Sequence, residues 1–191
     1  MFGQFPLRRL EPGVVAYSAA ITACESTARW QEALGLFATM CSRRLEPSVI
    51  SCNAVISACE KGARWQDALC IFTGICSYDV ESDVISFDAL ISSFEKCMRW
   101  KEALGVAAEM RRRSVEPSVI SYNAAITACE KSAQWQKAFG LLSDMQRHRL
   151  EPTSITCSAA VSACERDAQG AQPLAHALGH GASDLAAVVR S

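Results

Sequence analysis

Four tryptophans, Trp30, Trp65, Trp100 and Trp135, stand 35 residues apart each time, and the rest of the chain keeps step with them. Cys24, Cys59, Cys129 and Cys164 hold the same register, with Phe94 in the middle copy, and each is followed by a glutamate: Glu25, Glu60, Glu95, Glu130 and Glu165. Pro12, Pro47, Pro117 and Pro152 recur behind Glu11, Glu46, Glu116 and Glu151; Glu81 and Ser82 take the remaining slot. A fixed period of this length marks a chain of repeated supersecondary units rather than one globular domain. Full units are expected over residues 14–48, 49–83, 84–118 and 119–153. A half unit (second helix only) precedes them over 1–13 and another (first helix) follows over 154–166. Residues 167–191 form an Ala- and Gly-rich tail outside the repeat register, expected to be disordered, with a short cap over 184–189 as the alternative.

Inside each unit the apolar residues have helical spacing twice. Tyr17, Ala20, Ile21 and Cys24 fall at i, i+3, i+4 and i+7, and Trp30, Ala33, Leu34, Phe37 and Met40 repeat the pattern. First helices are expected near 17–26, 52–61, 87–96, 122–131 and 157–166, and second helices near 30–41, 65–76, 100–112 and 135–147. Ser51, Ser86, Ser121 and Thr156 precede the first stripes and are expected as N-caps. The Glu-Pro pair is expected to close each second helix, because proline disfavours the α conformation in the residue before it. A pair of short helices cannot bury its stripe alone, so successive pairs must stack. The expected fold is all-α: a right-handed α-solenoid of 35-residue helix-turn-helix repeats. The tryptophans, Leu34, Leu69, Leu104, Phe139 and the register cysteines are assigned to its core.

Composition narrows the function. Half of the 191 residues are apolar, 20% are charged and the formal net charge is −1, values outside the disordered class. No apolar run reaches the roughly 18 residues of a membrane span, and the balance is far from that of a basic nucleic-acid-binding domain. The ten cysteines show no Cys-x-x-Cys pair, and His148, His176 and His180 lie far from any second metal-ligand pair. They are expected as reduced thiols serving as small hydrophobes. No nucleophile-base constellation, paired-carboxylate pocket or phosphate-binding glycine loop is legible, so no catalysis, no cofactor and no small-molecule substrate are expected.

Function then falls to residues off the core stripe. Ser18, Asn53, Asp88, Asn123 and Ser158 vary in identity where their neighbours repeat. With Thr22, Ser57, Ser92, Thr127, Ser162 and the following glutamates they make a short-chained polar row along successive first helices. Lys61, Lys96, Lys131 and Arg166 add one cation per unit beside it. One hydrogen-bonding side chain and one cation per repeat suit a repeating polyanion, and single-stranded RNA exposes base edges that side chains can read one repeat at a time.

The unit, with segments such as Val119-Ile120-Ser121-Tyr122-Asn123-Ala124-Ala125-Ile126, Trp135-Gln136-Lys137-Ala138-Phe139 and a closing Glu151-Pro152-Thr153, resembles the pentatricopeptide repeat, in full over 14–153 and in part over about 2–166. The resemblance implies binding of single-stranded RNA at about one base per repeat, in RNA processing, stabilisation, editing or translation in a mitochondrion or plastid, with RNA-processing proteins as recruited partners. It implies that the fifth and last residues of a unit choose the base. The pairs are Ser18 with Ser48, Asn53 with Asp83, Asp88 with Ser118, and Asn123 with Thr153. It makes Val15, Ile50, Ile85, Ile120 and Ile155 the residues packing against bases, and Lys61, Lys96 and Lys131 the phosphate-facing lysines. The implied order is purine, uracil, an unassigned base at Asp88, then pyrimidine. Four units contact about four nucleotides, so a piece of a longer array is expected. A protein-interaction scaffold of tetratricopeptide-like type is the alternative, favoured by the acidic second unit (Glu60, Asp67, Asp79, Glu81, Asp83).

Overall fold

The computed structural model describes residues 13–75 and 82–166 of the chain. The leading half unit, apart from Gly13, and the tail at 167–191 lie outside the described residues. Nine helices and no strand occupy those that are described: α1 (Val14–Ser26), α2 (Trp30–Ser42), α3 (Val49–Lys61), α4 (Trp65–Ile75), α5 (Val84–Lys96), α6 (Trp100–Arg112), α7 (Val119–Lys131), α8 (Trp135–Arg147) and α9 (Ser154–Arg166). The odd-numbered helices stack on one another in order, and each even-numbered helix packs on its own partner and on the next odd-numbered helix. The result is an all-α solenoid whose main helix contacts run within a unit or to the next one.

The turns explain the tight period. Between the helices of a unit, Ala28, Ala63, Met98 and Ala133 take positive φ angles of 52° to 56°. The next amide bonds back across the helix end: Arg29 N to Cys24 O at 2.9 Å, Arg64 N to Cys59 O at 2.8 Å, Arg99 N to Phe94 O at 2.9 Å and Gln134 N to Cys129 O at 2.8 Å. This 6→1 bond satisfies an orphan carbonyl and reverses the chain in three residues. The second helices end the same way at Arg44, Ser114 and Arg149, with Leu45 N, Val115 N and Leu150 N bonded to Met40 O, Met110 O and Met145 O. Each stops within one residue of the expected end at 41, 112 or 147, and the Glu-Pro pair that follows belongs to the connection.

The first helices begin three residues earlier than the stripes predict. Ser48, Asp83 and Ser118 are the N-caps of α3, α5 and α7, their side-chain oxygens accepting from the backbone N–H of Ser51, Ser86 and Ser121. The residues expected as caps sit one turn in and are buried, Ser51 at 0%, Ser86 and Ser121 at 1% and Thr156 at 0% exposure. The extra turn escaped the periodicity because its isoleucine (Ile50, Ile85 or Ile120) is exposed, although Val84 and Val119 beside it pack against the core.

Internal odd-numbered helices are packed on most of their circumference. In α3, Cys52, Ala54, Val55, Ile56, Ala58 and Cys59 are all buried. The even-numbered helices bury a narrower face, Ala33, Phe37 and Met40 in α2 and Ala138, Leu141, Leu142 and Met145 in α8. The tryptophans differ from expectation: with Leu34, Leu69, Leu104 and Phe139 they lie half-buried against the edge of the core. There the Arg64 guanidinium lies 4.7 Å from the Trp30 ring and that of Arg99 lies 4.4 Å from the Trp65 ring, so these two rings are roofed by a cation of the next unit. Gly62 leaves room for this edge, since a Cβ there would meet the Trp30 ring at 2.3 Å. The nine described cysteines are free thiols. Burial pushes Cys52 and Cys129 up to about 11 and Cys59 to about 12, which keeps these thiols protonated and unreactive.

Candidate functional site

A branched apolar residue stands fully out of the core in the first turn of each odd-numbered helix. Val15 is 82% exposed, Ile50 70%, Ile85 61%, Ile120 61% and Ile155 63%; apart from Met98 they are the large hydrophobics left exposed among the described residues. An exposed Ile is unremarkable singly, but five in register at 35-residue spacing form a row of fins along one side of the stack. Between fins lie open clefts. One, of about 570 Å³, is bounded by Val15 and Ile50 and floored by Ser18 and Ser48. The next, of about 340 Å³, runs from Ile50 to Ile85 over Asn53 and Asp83, with Thr22, Glu25 and Ser57 on its wall.

The expected residue pairs meet in three of four cases, because the last residue of one unit caps the next first helix and so lies beside the fifth residue of its own unit. Asn53 Nδ2 donates to Asp83 Oδ1 and Oδ2 at 3.0 and 3.1 Å, Ser118 Oγ to Asp88 Oδ2 at 2.8 Å, and Asn123 Nδ2 to Thr153 Oγ1 at 3.3 Å. The first pair is not joined in this way. Ser18 Oγ donates to the Val14 carbonyl at 2.9 Å, and Ser48 is engaged with Ser51.

The two carboxylates in this row titrate in opposite directions. Burial raises Asp83, but the Ser86 amide and hydroxyl and the Asn53 amide outweigh it and hold the carboxyl below the usual range. Burial dominates at Asp88, which is pushed up despite bonds from Ser121 and Ser118, with the Asp83 charge adding to the rise. Asp88 is an acceptor-only group, whereas Asn53 and Asn123 carry both donor and acceptor.

The lysines bear on the site differently from a free cation ladder. Lys61 Nζ is 2.7 Å from Glu25 Oε1 and 3.0 Å from the Glu25 carbonyl, Lys96 Nζ is 2.7 Å from Glu60 Oε1, and Lys131 pairs with Glu95. Each bridge runs from one first helix to the glutamate of the preceding one, and the lysine side chains stay 35% to 38% exposed. This pairing was missed in the sequence although its signal, a glutamate followed 36 residues later by a lysine, occurs at three of the four described boundaries between first helices, with Arg166 following Glu130 at the fourth. Among the described residues no group of three or more His, Cys, Asp or Glu converges as a metal site, and no helix is long and apolar enough to cross a membrane.

Stacked helix pairs with a finned, polar-floored face define an α-helical repeat protein. The family described as the PPR repeat family matches residues 82–131 and 117–166, and the pentatricopeptide repeat domain matches residues 7–61. The chain belongs to the pentatricopeptide repeat family. No curated protein sequence matches it. Among solved structures it is similar to the pentatricopeptide repeat protein PPR10 from maize, with a TM-score of 0.77 and 21% identity over 94% of this chain and 26% of that one. It is also similar to PPR10 in complex with an 18-nt psaJ RNA element, at TM-score 0.69 and 23% identity over 83% of this chain and 24% of that one. The PPR domain of Arabidopsis thaliana protein-only RNase P 1, in complex with tRNA, gives a TM-score of 0.80 at 15% identity over 93% of this chain and 91% of that domain. At these identities the likeness is one of fold, and the chain spans about a quarter of the length of PPR10.

Proposed function

We propose that this chain is a module that binds single-stranded RNA at about one base per repeat, with no chemistry of its own, as part of a longer array. The observation that carries the proposal is the alternation of fins and polar floors. Ile50 and Ile85 bracket a cleft whose base is the Asn53–Asp83 pair, and the same order recurs in each unit. A planar base slots between two branched side chains, gaining apolar contact on both faces, while its edge meets a hydrogen-bonding head. In this role Ser18 with Ser48, Asn53 with Asp83, Asp88 with Ser118 and Asn123 with Thr153 choose bases, Val15, Ile50, Ile85, Ile120 and Ile155 pack against them, and Lys61, Lys96 and Lys131 meet phosphates at the cleft rim. Family membership supports action in mitochondrial or plastid RNA metabolism, with enzymes recruited as partners.

Binding of short single strands carrying 5′-purine-U-N-pyrimidine-3′, compared with base-scrambled strands, tests this. Asn53→Ala should reduce the preference for uracil at its nucleotide about tenfold, within the ~1–3 kcal/mol that a good base contact discriminates. Equal affinity for both strands, unchanged by Asn53→Ala, would contradict base choice.

The glutamate bridges set the electrostatic response. A lysine that turns to a phosphate leaves its glutamate exposed to recruit a cation from solution, which offsets part of the counterion release on the RNA side. Replacing Glu25, Glu60 and Glu95 together by glutamine should tighten RNA binding several-fold at low salt and steepen the salt dependence. Each lost bridge is half-exposed and costs about 0.2–1 kcal/mol of stability. Filter binding across a salt series reads both effects, and unchanged affinity and slope would mean that the lysines do not leave their glutamates.

A further inference from the structure

The hydroxyls displaced from the capping role have another partner. Ser86 Oγ donates to Asn53 Oδ1 and lies 2.9 Å from Asp83 Oδ1 as well. Ser121 Oγ donates to Asp88 Oδ1, and Thr156 Oγ1 donates to Asn123 Oδ1 at 2.5 Å. In each case the third residue of one unit reaches back 33 positions to the fifth residue of the unit before it. Two of the three hydroxyl oxygens are also fixed from behind. Ser118 N donates to Ser121 Oγ and Thr153 N to Thr156 Oγ1, both at 2.9 Å, which leaves the hydroxyl proton free to point across the boundary.

An asparagine head has two unlike ends, and which end faces a base decides what it reads. At Asn53 the nitrogen is held by Asp83 and the oxygen by Ser86. At Asn123 the nitrogen has only the neutral Thr153 hydroxyl at 3.3 Å, so the bond from Thr156 to the oxygen is the shorter restraint. The first unit supplies an internal contrast. Its fifth residue, Ser18, has its hydroxyl turned to Val14 O, and Ser51 there donates to the Ser48 carbonyl of its own turn at 2.8 Å. The hydroxyl crosses the boundary where the preceding fifth residue offers an acceptor.

We propose that Ser86, Ser121 and Thr156 are positioning residues: buried hydroxyls that orient the base-choosing head of the preceding unit and so set which of its polar atoms faces the RNA. This rests on the RNA-binding function proposed above and adds a third residue, supplied by the next repeat, to the pair that chooses each base. A unit's preference therefore depends on having a neighbour on its C-terminal side.

The test uses the whole chain with Ser86→Ala, Ser86→Thr and Ser51→Ala. Thermal unfolding establishes that each variant folds, and threonine fits because Thr156 fills the equivalent place. Removing one hydrogen bond to the Asn53 head should reduce the uracil-over-cytosine ratio at that nucleotide about fivefold. The ratio at the Asn123 nucleotide should be unchanged, Ser86→Thr should restore the preference, and Ser51→Ala should leave it intact. A uniform loss at all nucleotides, or failure of threonine to restore the preference, would reduce Ser86 to a packing role and overturn the proposal. A second readout needs no RNA: in NMR spectra the Asn53 side-chain amide should exchange with water faster in Ser86→Ala and at the native rate in Ser86→Thr. If the unaltered chain shows no base preference, RNA reading falls while this exchange rate still decides the positioning claim; an unchanged rate overturns it.

Discussion

Cutting Ile50, Ile85 and Ile120 back to alanine together is expected to weaken RNA binding about a hundredfold while leaving the folded state nearly as stable as before. The three side chains are 61% to 70% exposed, so the fold gains little from them, and exposed substitutions away from special features usually stay within about 0.5 kcal/mol. Against a base each loses part of the apolar contact that full burial of an isoleucine supplies. At about 1 kcal/mol per fin, three fins give ~3 kcal/mol, or roughly two orders of magnitude in Kd. Titration by fluorescence anisotropy beside thermal melting separates the two effects. Undiminished affinity would remove the fins from the binding surface, and a large fall in Tm would show that they support the fold.

Phe87→Ala should have the opposite profile, a stability loss of about 3–5 kcal/mol, the usual range for emptying a buried aromatic site. Phe87 is fully buried in α5 and meets the Phe72 ring edge-on with centroids 4.9 Å apart. It thereby joins the second and third units. Since each unit of a solenoid is held only by its neighbours, weakening this joint should also divide the unfolding transition. Urea denaturation followed by far-UV circular dichroism would show a lower midpoint and a broadened or biphasic curve. A curve that overlays the native one would contradict the tight joint described here.

The period of 35, the two helices per unit and the stacking were legible because Trp30, Trp65, Trp100 and Trp135 repeat together with the apolar stripes. The placement of the fins was legible only through the family resemblance. Ile50 and its counterparts are as apolar as core residues, and nothing in hydrophobic periodicity says that they face outward. The helix starts were missed for the same reason: the stripe begins at Cys52, whereas the backbone ladder begins at Val49, and the cap is Ser48. The tryptophans were placed too deep, because periodicity reports the side of a helix and not how far in a residue sits. The half-buried rings of Trp30 and Trp65 meet arginines from the next unit, Arg64 and Arg99. The lysine–glutamate bridges and the hydroxyl-to-head bonds span 36 and 33 residues. Both are consequences of how one unit is set against the next: the recurrence of glutamate and lysine at 36 residues stands in the sequence, but that the two side chains pair follows only once the stack is built.

Selection from a randomised pool of single-stranded RNA tests the central claim most directly, because it asks about binding and base choice without presupposing a sequence. A one-base-per-repeat reader should enrich strands with uracil opposite the Asn53–Asp83 pair and a pyrimidine two nucleotides further towards the 3′ end. That enrichment should vanish at the uracil position alone when Asn53→Ala replaces the native chain. Recovery of no RNA above background, or of RNA whose sequence is indistinguishable from the starting pool, would contradict it.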